Sequence, residues 1–229
     1  MLQSRNGLAG NYTLAGERGG MRAYLEDLIE RLADQAPTTS SAQSVSFAAH
    51  REAEQLTDAS IVDELAEAVR RLKPAQRSGC YFIIGKVGRN SGEERCAAIL
   101  LDLLPSETSK YNLASLLDGV AGVPKGPRFD LSPVYPLLDD KRWLVRHAAI
   151  RALDNSASPD AEVRLLSHLA STVDQYDMTY CHAVLSRIGT IRALPAIEPN
   201  LMSKKRDVRD SARWAVDAIR KREPDAQPR

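Results

Sequence analysis

Apolar and small residues recur along this chain with a helical period. From Val145, the run VRHAAIRALD places Val145, Ala148, Ala149, Ala152 and Leu153 at i, i+3, i+4, i+7 and i+8, which is one face of a helix. The same face returns with its last apolar residue at Val87, Val120, Leu153, Ile188 and Val216, at intervals of 33, 33, 35 and 28 residues. Four positions before each of these stand Ile83, Leu116, Ala149, Val184 and Ala212, and five before stand Phe82, Ser115, Ala148, Ala183 and Ser211. Gly88 and Gly189 follow directly after two of the five, as suits a helix C-terminus.

A shorter apolar stretch follows each of the first four: 96–104, 132–138, 161–169 and 193–201. Pro133 and Pro195 suit a first helical turn, whereas Pro136 and Pro199 should kink or shorten their segments. The unit is helix, turn, shorter helix. Upstream, 44–56 and 59–72 form a further pair, and 21–33 is a helix placed to cap the stack. A unit of this size cannot bury its apolar face alone, so neighbours must stack. The expected fold is an all-α superhelix (solenoid) of about five to six helical hairpins. Its expected divisions are a disordered leader over 1–20, a capping helix and linker over 21–43, the solenoid over 44–222 and a disordered tail over 223–229. Met21 opens a better pattern than Met1, which makes it the alternative start.

Two segments carry a family resemblance, DDKRWLVRHAAIRALDNS (139–156) and KKRDVRDSARWAVDAI (204–219). Asp, then Val-Arg, then small residues and an Ala-Leu-Gly-like end resembles the short HEAT-like repeats of bacteria, the type also found in bilin-lyase subunits. The resemblance covers 44–221 and is weakest over 105–138, where the chain carries the insert AGVPKGPRFD. It implies a fold more than a function, because such arrays serve many roles.

Composition narrows the classes. Aromatics are 5% of the 229 residues and 43% are hydrophobic, a mix that favours close-packed helices. The net charge of +1 is divided unevenly: residues 1–72 hold seven basic and eleven acidic residues, and residues 73–229 hold 24 and 19. That asymmetry does not by itself mark a nucleic-acid binder. Cys80, Cys96 and Cys181 are too few and too far apart for a disulfide framework, so a reducing cytoplasmic setting is expected. No run of 18 apolar residues occurs, so no membrane-spanning helix is expected.

The familiar catalytic spacings are missing. His50, His147, His168 and His182 form no HExxH or HxxxH pair, so no metal is expected, and the His-Glu pairs of iron-binding HEAT hydroxylases are missing too. GKVGRNSG (85–92) lacks the Lys-Ser/Thr of a phosphate-binding loop and reads as a helix end followed by a turn. Cys181 and His182 are adjacent on one helix and point about 100° apart, which is no nucleophile–base pair. No cofactor and no catalytic residue is expected.

Two residue sets remain as candidates. Basic residues gather where each first helix begins: Arg77; Lys110; Lys141, Arg142 and Arg146; Lys205, Arg206 and Arg209, with Trp143 among them. Cations at helix N-termini oppose the macrodipole by roughly 0.3–1 kcal/mol each. An anionic partner would offset that, and so would an internal ladder of Asp and Arg between units. Tyr81, His147 and His182 share one slot and form a candidate polar stripe. The leading functional reading is a non-catalytic scaffold that binds another protein along a curved repeat surface. Nucleic-acid binding on a basic edge is the alternative. HEAT-like alkylpurine DNA glycosylases are the enzymatic version, but no Trp-x-x-x-Asp spacing occurs at Trp143 or Trp214. A bilin lyase-like or chaperone-like role rests on the resemblance alone.

Overall fold

Five helices begin and pack as the repeated face requires. The computed structural model describes residues 21–223, which contain eleven α-helices. In chain order they are α1 (Ala23–Leu32), α2 (Val45–Ala53), α3 (Val62–Val69), α4 (Pro74–Ser91), α5 (Arg95–Leu103), α6 (Lys110–Gly122), α7 (Trp143–Ala152), α8 (Pro159–Ser171), α9 (Gln175–Ile188), α10 (Leu194–Ile197) and α11 (Arg206–Arg222). Among the described residues there is no strand, only a single bridge between Lys125 and Ser156. The expected leader, and the expected tail beyond Glu223, lie outside the described residues.

The first helices α4, α6, α7, α9 and α11 form one layer, each packed against the next. α3, α5, α8 and α10 back them as a second layer, and α1 packs on α2 and α4. Ile83, Leu116, Ala149, Val184 and Ala212 are all fully buried, as are Val87, Val120 and Leu153. The repeated slots are therefore the seam along which units stack.

Proline shapes the second layer. Pro159 occupies the first turn of α8, where no N–H is needed. The stretch 132–138 forms no α-helix: 3-10 geometry spans Tyr135–Asp139. The stretch 193–201 keeps only the one-turn α10, flanked by 3-10 turns at Ile191–Ala193 and Glu198–Met202. Pro136 and Pro199 each stand in the first turn of one of these 3-10 segments, where a missing N–H is tolerated but where an α-helix arriving from before would have to stop.

Two glycines act differently from the expectation. α4 does not end at Gly88 but runs on to Ser91, and the chain turns at Gly92 with φ 76. The segment 85–92 is thus helical almost throughout. Gly88 is a packing residue: a Cβ there would stand 2.5 Å from the Cys96 Cβ and 2.7 Å from the Val123 Cγ2. At Gly85 a Cβ would meet Gly119 Cα at 2.5 Å, so α4 and α6 touch backbone to backbone.

Units also close one another's helix ends. Asn90 Nδ2 donates to the Glu54 and Leu56 carbonyls just past α2, at 2.9 and 2.8 Å. Asn155, in the left-handed conformation at φ 53, donates to Ala121 O of α6 at 2.9 Å. Arg222 donates to Ser186 O and, at 2.6 Å, to Gly189 O at the end of α9. The insert contributes a further closure. Lys125 N donates to Asn155 O and Ala157 N to Lys125 O, both at 2.8 Å. Its buried Nζ donates to Val120 O and Val123 O at 2.8 and 2.7 Å. These carbonyls lie in or just past the last turn of a helix, where the helix itself leaves acceptors unfilled.

Candidate binding surface

The basic residues at the helix starts divide into two groups. Arg77 Nη1 lies 3.1 Å from Glu107 Oε1, and the buried Tyr81 hydroxyl donates to the same carboxylate. Arg142 grips Asp140 through Nε and Nη2 at 2.9 and 2.7 Å and reaches Thr108 O at 3.1 Å. Arg146 joins Asp177 at 2.6 Å, Asp174 at 2.9 Å and Asp140 O at 3.0 Å. Arg209 donates to Ser203 O at 3.1 Å. These four arginines link elements of the stack to each other. Lys110, Lys141, Lys205 and Arg206 are exposed, with Arg206 only 3.4 Å from Asp210 on its own helix.

The three residues of the polar slot are buried in three different contacts. Tyr81 belongs to the Glu107 cluster, where Asn112 Nδ2 supplies a further bond at 3.2 Å. His182 Nε2 lies 3.0 Å from Asn200 Nδ2, and its Nδ1 lies 2.9 Å from Ser211 Oγ, which itself donates to Val208 O. The Asn200 amide can only donate to Nε2, so Nδ1 carries the hydrogen and the ring is neutral. Burial pushes its pKa down to about 4. His147 packs among aromatic rings, 5.4 Å from Trp143 and 4.9 Å from Tyr180 between centroids, with Nε2 3.0 Å from Asp177 Oδ1. Burial also lowers its pKa, against the pull of Asp177. Burial raises that of Asp177, but contacts from His168, Arg146 and Thr172 outweigh it and hold the carboxyl at about 2.

What reaches the surface is a strip on the outward side of the first-helix layer. Tyr111, Trp143 and Tyr176, at the starts of α6, α7 and α9, are 67, 60 and 57% exposed, while Trp214, half-way along α11, is 55% exposed outside this strip. Cations sit over neighbouring rings: Lys86 on Phe82 at 4.8 Å, Lys110 on Tyr111 at 5.0 Å and Arg151 on Tyr180 at 5.0 Å. Between α4 and α6 the strip dips into a groove of about 490 Å³. Gly85, Gly119 and Gly122 line it together with Phe82, Tyr111 and Leu144, and Lys86, Arg89 and Asp118 supply its charges. Gly122 leaves part of it open, since a Cβ there would meet nothing nearer than Arg89 side-chain atoms at 3.8 Å. Cross-unit ion pairs edge the same side, Arg151 with Asp118 at 2.7 Å and Arg187 with Asp154 at 2.6 Å.

Sequence reasoning selected Trp143 and Lys110 but missed Phe82, Lys86, Arg89, Tyr111, Tyr176 and Tyr180 as surface partners. No single repeat slot holds them: Tyr111 stands nine positions before Val120, and Tyr176 and Tyr180 stand twelve and eight before Ile188.

No protein-family model matches the sequence, and no curated protein sequence matches it. Solved structures do. A designed armadillo repeat protein superposes with a TM-score of 0.51 at 17% identity, covering 85% of this chain and 99% of its own. An engineered protein follows at 0.49 and 17%, covering 87% of this chain and 98% of its own. A computationally designed armadillo repeat protein for modular peptide recognition gives 0.48 and 16%, with 85 and 99% covered. The fold of the described residues is thus an all-α superhelical repeat, similar to that of the designed armadillo repeat protein. Among the described residues no helix is long and apolar enough to cross a membrane.

Proposed function

We propose that this chain is a non-catalytic protein-binding scaffold built of short HEAT-like units, with the outward face of the first-helix layer as its contact surface. The observation that carries the reading is the row of exposed aromatics, Tyr111, Trp143 and Tyr176, at the starts of three successive first helices. Isolated exposed rings are ordinary, but a row continuous with a groove marks an interaction site. Lys86, Arg89 and Lys110 around the groove suit an extended acidic polypeptide segment whose apolar side chains enter between α4 and α6.

Selection from a displayed peptide library tests this. The expected winners are extended sequences that mix carboxylates with aromatic or aliphatic residues. Tyr111→Ala and Trp143→Ala should each weaken them about tenfold or more, as loss of a central aromatic anchor does. Unchanged affinity in both variants would refute the surface assignment. The same rings, flanked by Lys110 and Lys141, also favour single-stranded nucleic acid as a second reading. A gel shift whose affinity falls steeply with salt would establish that reading instead, and no shift at low salt would end it.

A further inference from the structure

Where α7, α8 and α9 meet, four buried polar atoms lack a hydrogen bond: Asp177 Oδ1, His147 Nε2 and both ring nitrogens of His168, whose Nε2 lies 3.4 Å from Asp177 Oδ2. Asp177 is 1% exposed. Its Oδ2 accepts from Arg146 Nε at 2.6 Å and from Thr172 Oγ1 at 3.0 Å. Its Oδ1 has no hydrogen-bond partner, although His147 Nε2 is 3.0 Å away. His147 is 5% exposed, and its Nε2 has no hydrogen-bond partner either. The two atoms are close enough to bond but are not aligned for it. Leaving such groups unsatisfied costs about 1–3 kcal/mol each.

A shared cation would satisfy both Asp177 Oδ1 and His147 Nε2. Imidazole nitrogen and carboxylate oxygen each lie about 2.1 Å from a zinc ion, and two such ligands at the tetrahedral angle stand about 3.4 Å apart, so the pair at 3.0 Å opens by about 0.4 Å to admit one. Each would then direct its lone pair at the ion and not at the other ligand, a geometry that matches the misalignment of the pair as a hydrogen bond. Asp174 completes a set of three: one ligand atom each from His147, Asp174 and Asp177 lie within 4.8 Å of one another. Arg146 holds the remaining Asp177 oxygen and Asp174 Oδ2, orienting the carboxylates from behind as outer partners of metal ligands do. It leaves their combined charge at −1, which a divalent ion reverses. The Asp174 side chain is one-third exposed and gives a route from solvent.

We propose that His147, Asp174 and Asp177 form a binding site for a divalent ion of the zinc class, pinning α7 to α9 beneath the exposed aromatic strip. The imidazole selects against magnesium and calcium, which take all-oxygen shells. The site stands independently of the binding-scaffold reading.

Chelator-treated full-length protein, titrated with zinc chloride by calorimetry, tests the proposal. Trp143 lies against the His147 ring, so its emission in a Trp214→Phe background gives a second readout. One equivalent of zinc should bind and change that emission, while magnesium at equal concentration should do neither. His147→Gln should weaken binding about 100-fold, and Asp174→Asn, at a partly exposed position that spares the core, about tenfold or more. His50→Gln should bind as the parent does. Absence of zinc binding up to about 1 mM, or affinity unchanged in both His147→Gln and Asp174→Asn, overturns the site.

Discussion

In Gly85→Ala two opposing effects meet in one methyl group. Alanine is a better helix former than glycine by about 1 kcal/mol, and Gly85 lies in the middle of α4. Against that, the new Cβ would stand 2.5 Å from Gly119 Cα and 3.0 Å from Gly119 O. Ordinary carbon contacts are about 3.5–4.0 Å. The obstacle is backbone, which cannot rotate away, so α6 must retreat by about 1 Å and loosen the buried seam around Leu116 and Val120. Overpacking of this kind costs about 1–3 kcal/mol, and a backbone neighbour puts it at the upper end. The net loss is about 2 kcal/mol, or a fall in Tm of about 4–8 °C for a chain of this size. Gly122→Ala is the internal control. Its Cβ would meet nothing nearer than Arg89 side-chain atoms at 3.8 Å, so only the propensity gain remains, up to about 1 kcal/mol. Thermal melts by circular dichroism should move the two variants in opposite directions. A Gly85→Ala variant as stable as the parent would refute the claim that α4 and α6 touch through their backbones.

Ala149→Glu buries a carboxylate at a fully enclosed position of the seam and should cost more than about 3 kcal/mol, seen as loss of a cooperative melt. Arg142→Glu and Arg206→Glu should part company. The first removes the grip on Asp140 and Thr108 O and should lower the urea midpoint by the equivalent of about 1–2 kcal/mol. The second lies at an exposed position and should change stability by less than about 0.5 kcal/mol. Burial holds the Lys125 ammonium down to about 7, with Asp154 opposing, against 10.5 in the unfolded chain. Between those values the unfolded chain binds a proton that the native chain lacks, so this group's contribution to stability rises with pH across that window and is lowest below it. The neutral amine keeps two N–H donors for Val120 O and Val123 O. Lys125→Met should flatten that rise when unfolding free energy is measured from pH 6 to 10.

The seam was legible because five units repeat the same apolar slots, and burial at Ile83, Leu116, Ala149, Val184 and Ala212 follows from periodicity alone. Gly88 was misread because a glycine after an apolar run has two uses, ending a helix or admitting a neighbour. Only the position of Cys96 and Val123 decides between them. The arginines were visible as a cluster, but not which of them were engaged. Arg146 meets Asp177 across 31 positions because of how far one unit rotates on the next, and no spacing rule carries that rotation. The same holds for His147 and Asp177, which a search for local metal-ligand spacing cannot find. The aromatic strip was hidden because Tyr111, Trp143 and Tyr176 occupy different slots and align only after the helix ends are offset in space.

The borrowed caps give the array a direction. Asn90, Asn155 and Arg222 each close a helix that precede them in the chain, so a helix end depends on the unit that follows it. Cutting units from the N-terminal side removes only the acceptors of those bonds and leaves the remaining helix ends closed. Cutting from the C-terminal side leaves the new last helix with bare carbonyls as well as a bare apolar face. Fraying should therefore travel from the C-terminal end toward the N-terminal end, and a unit added after α11 would need its own donor aimed backward to join the stack.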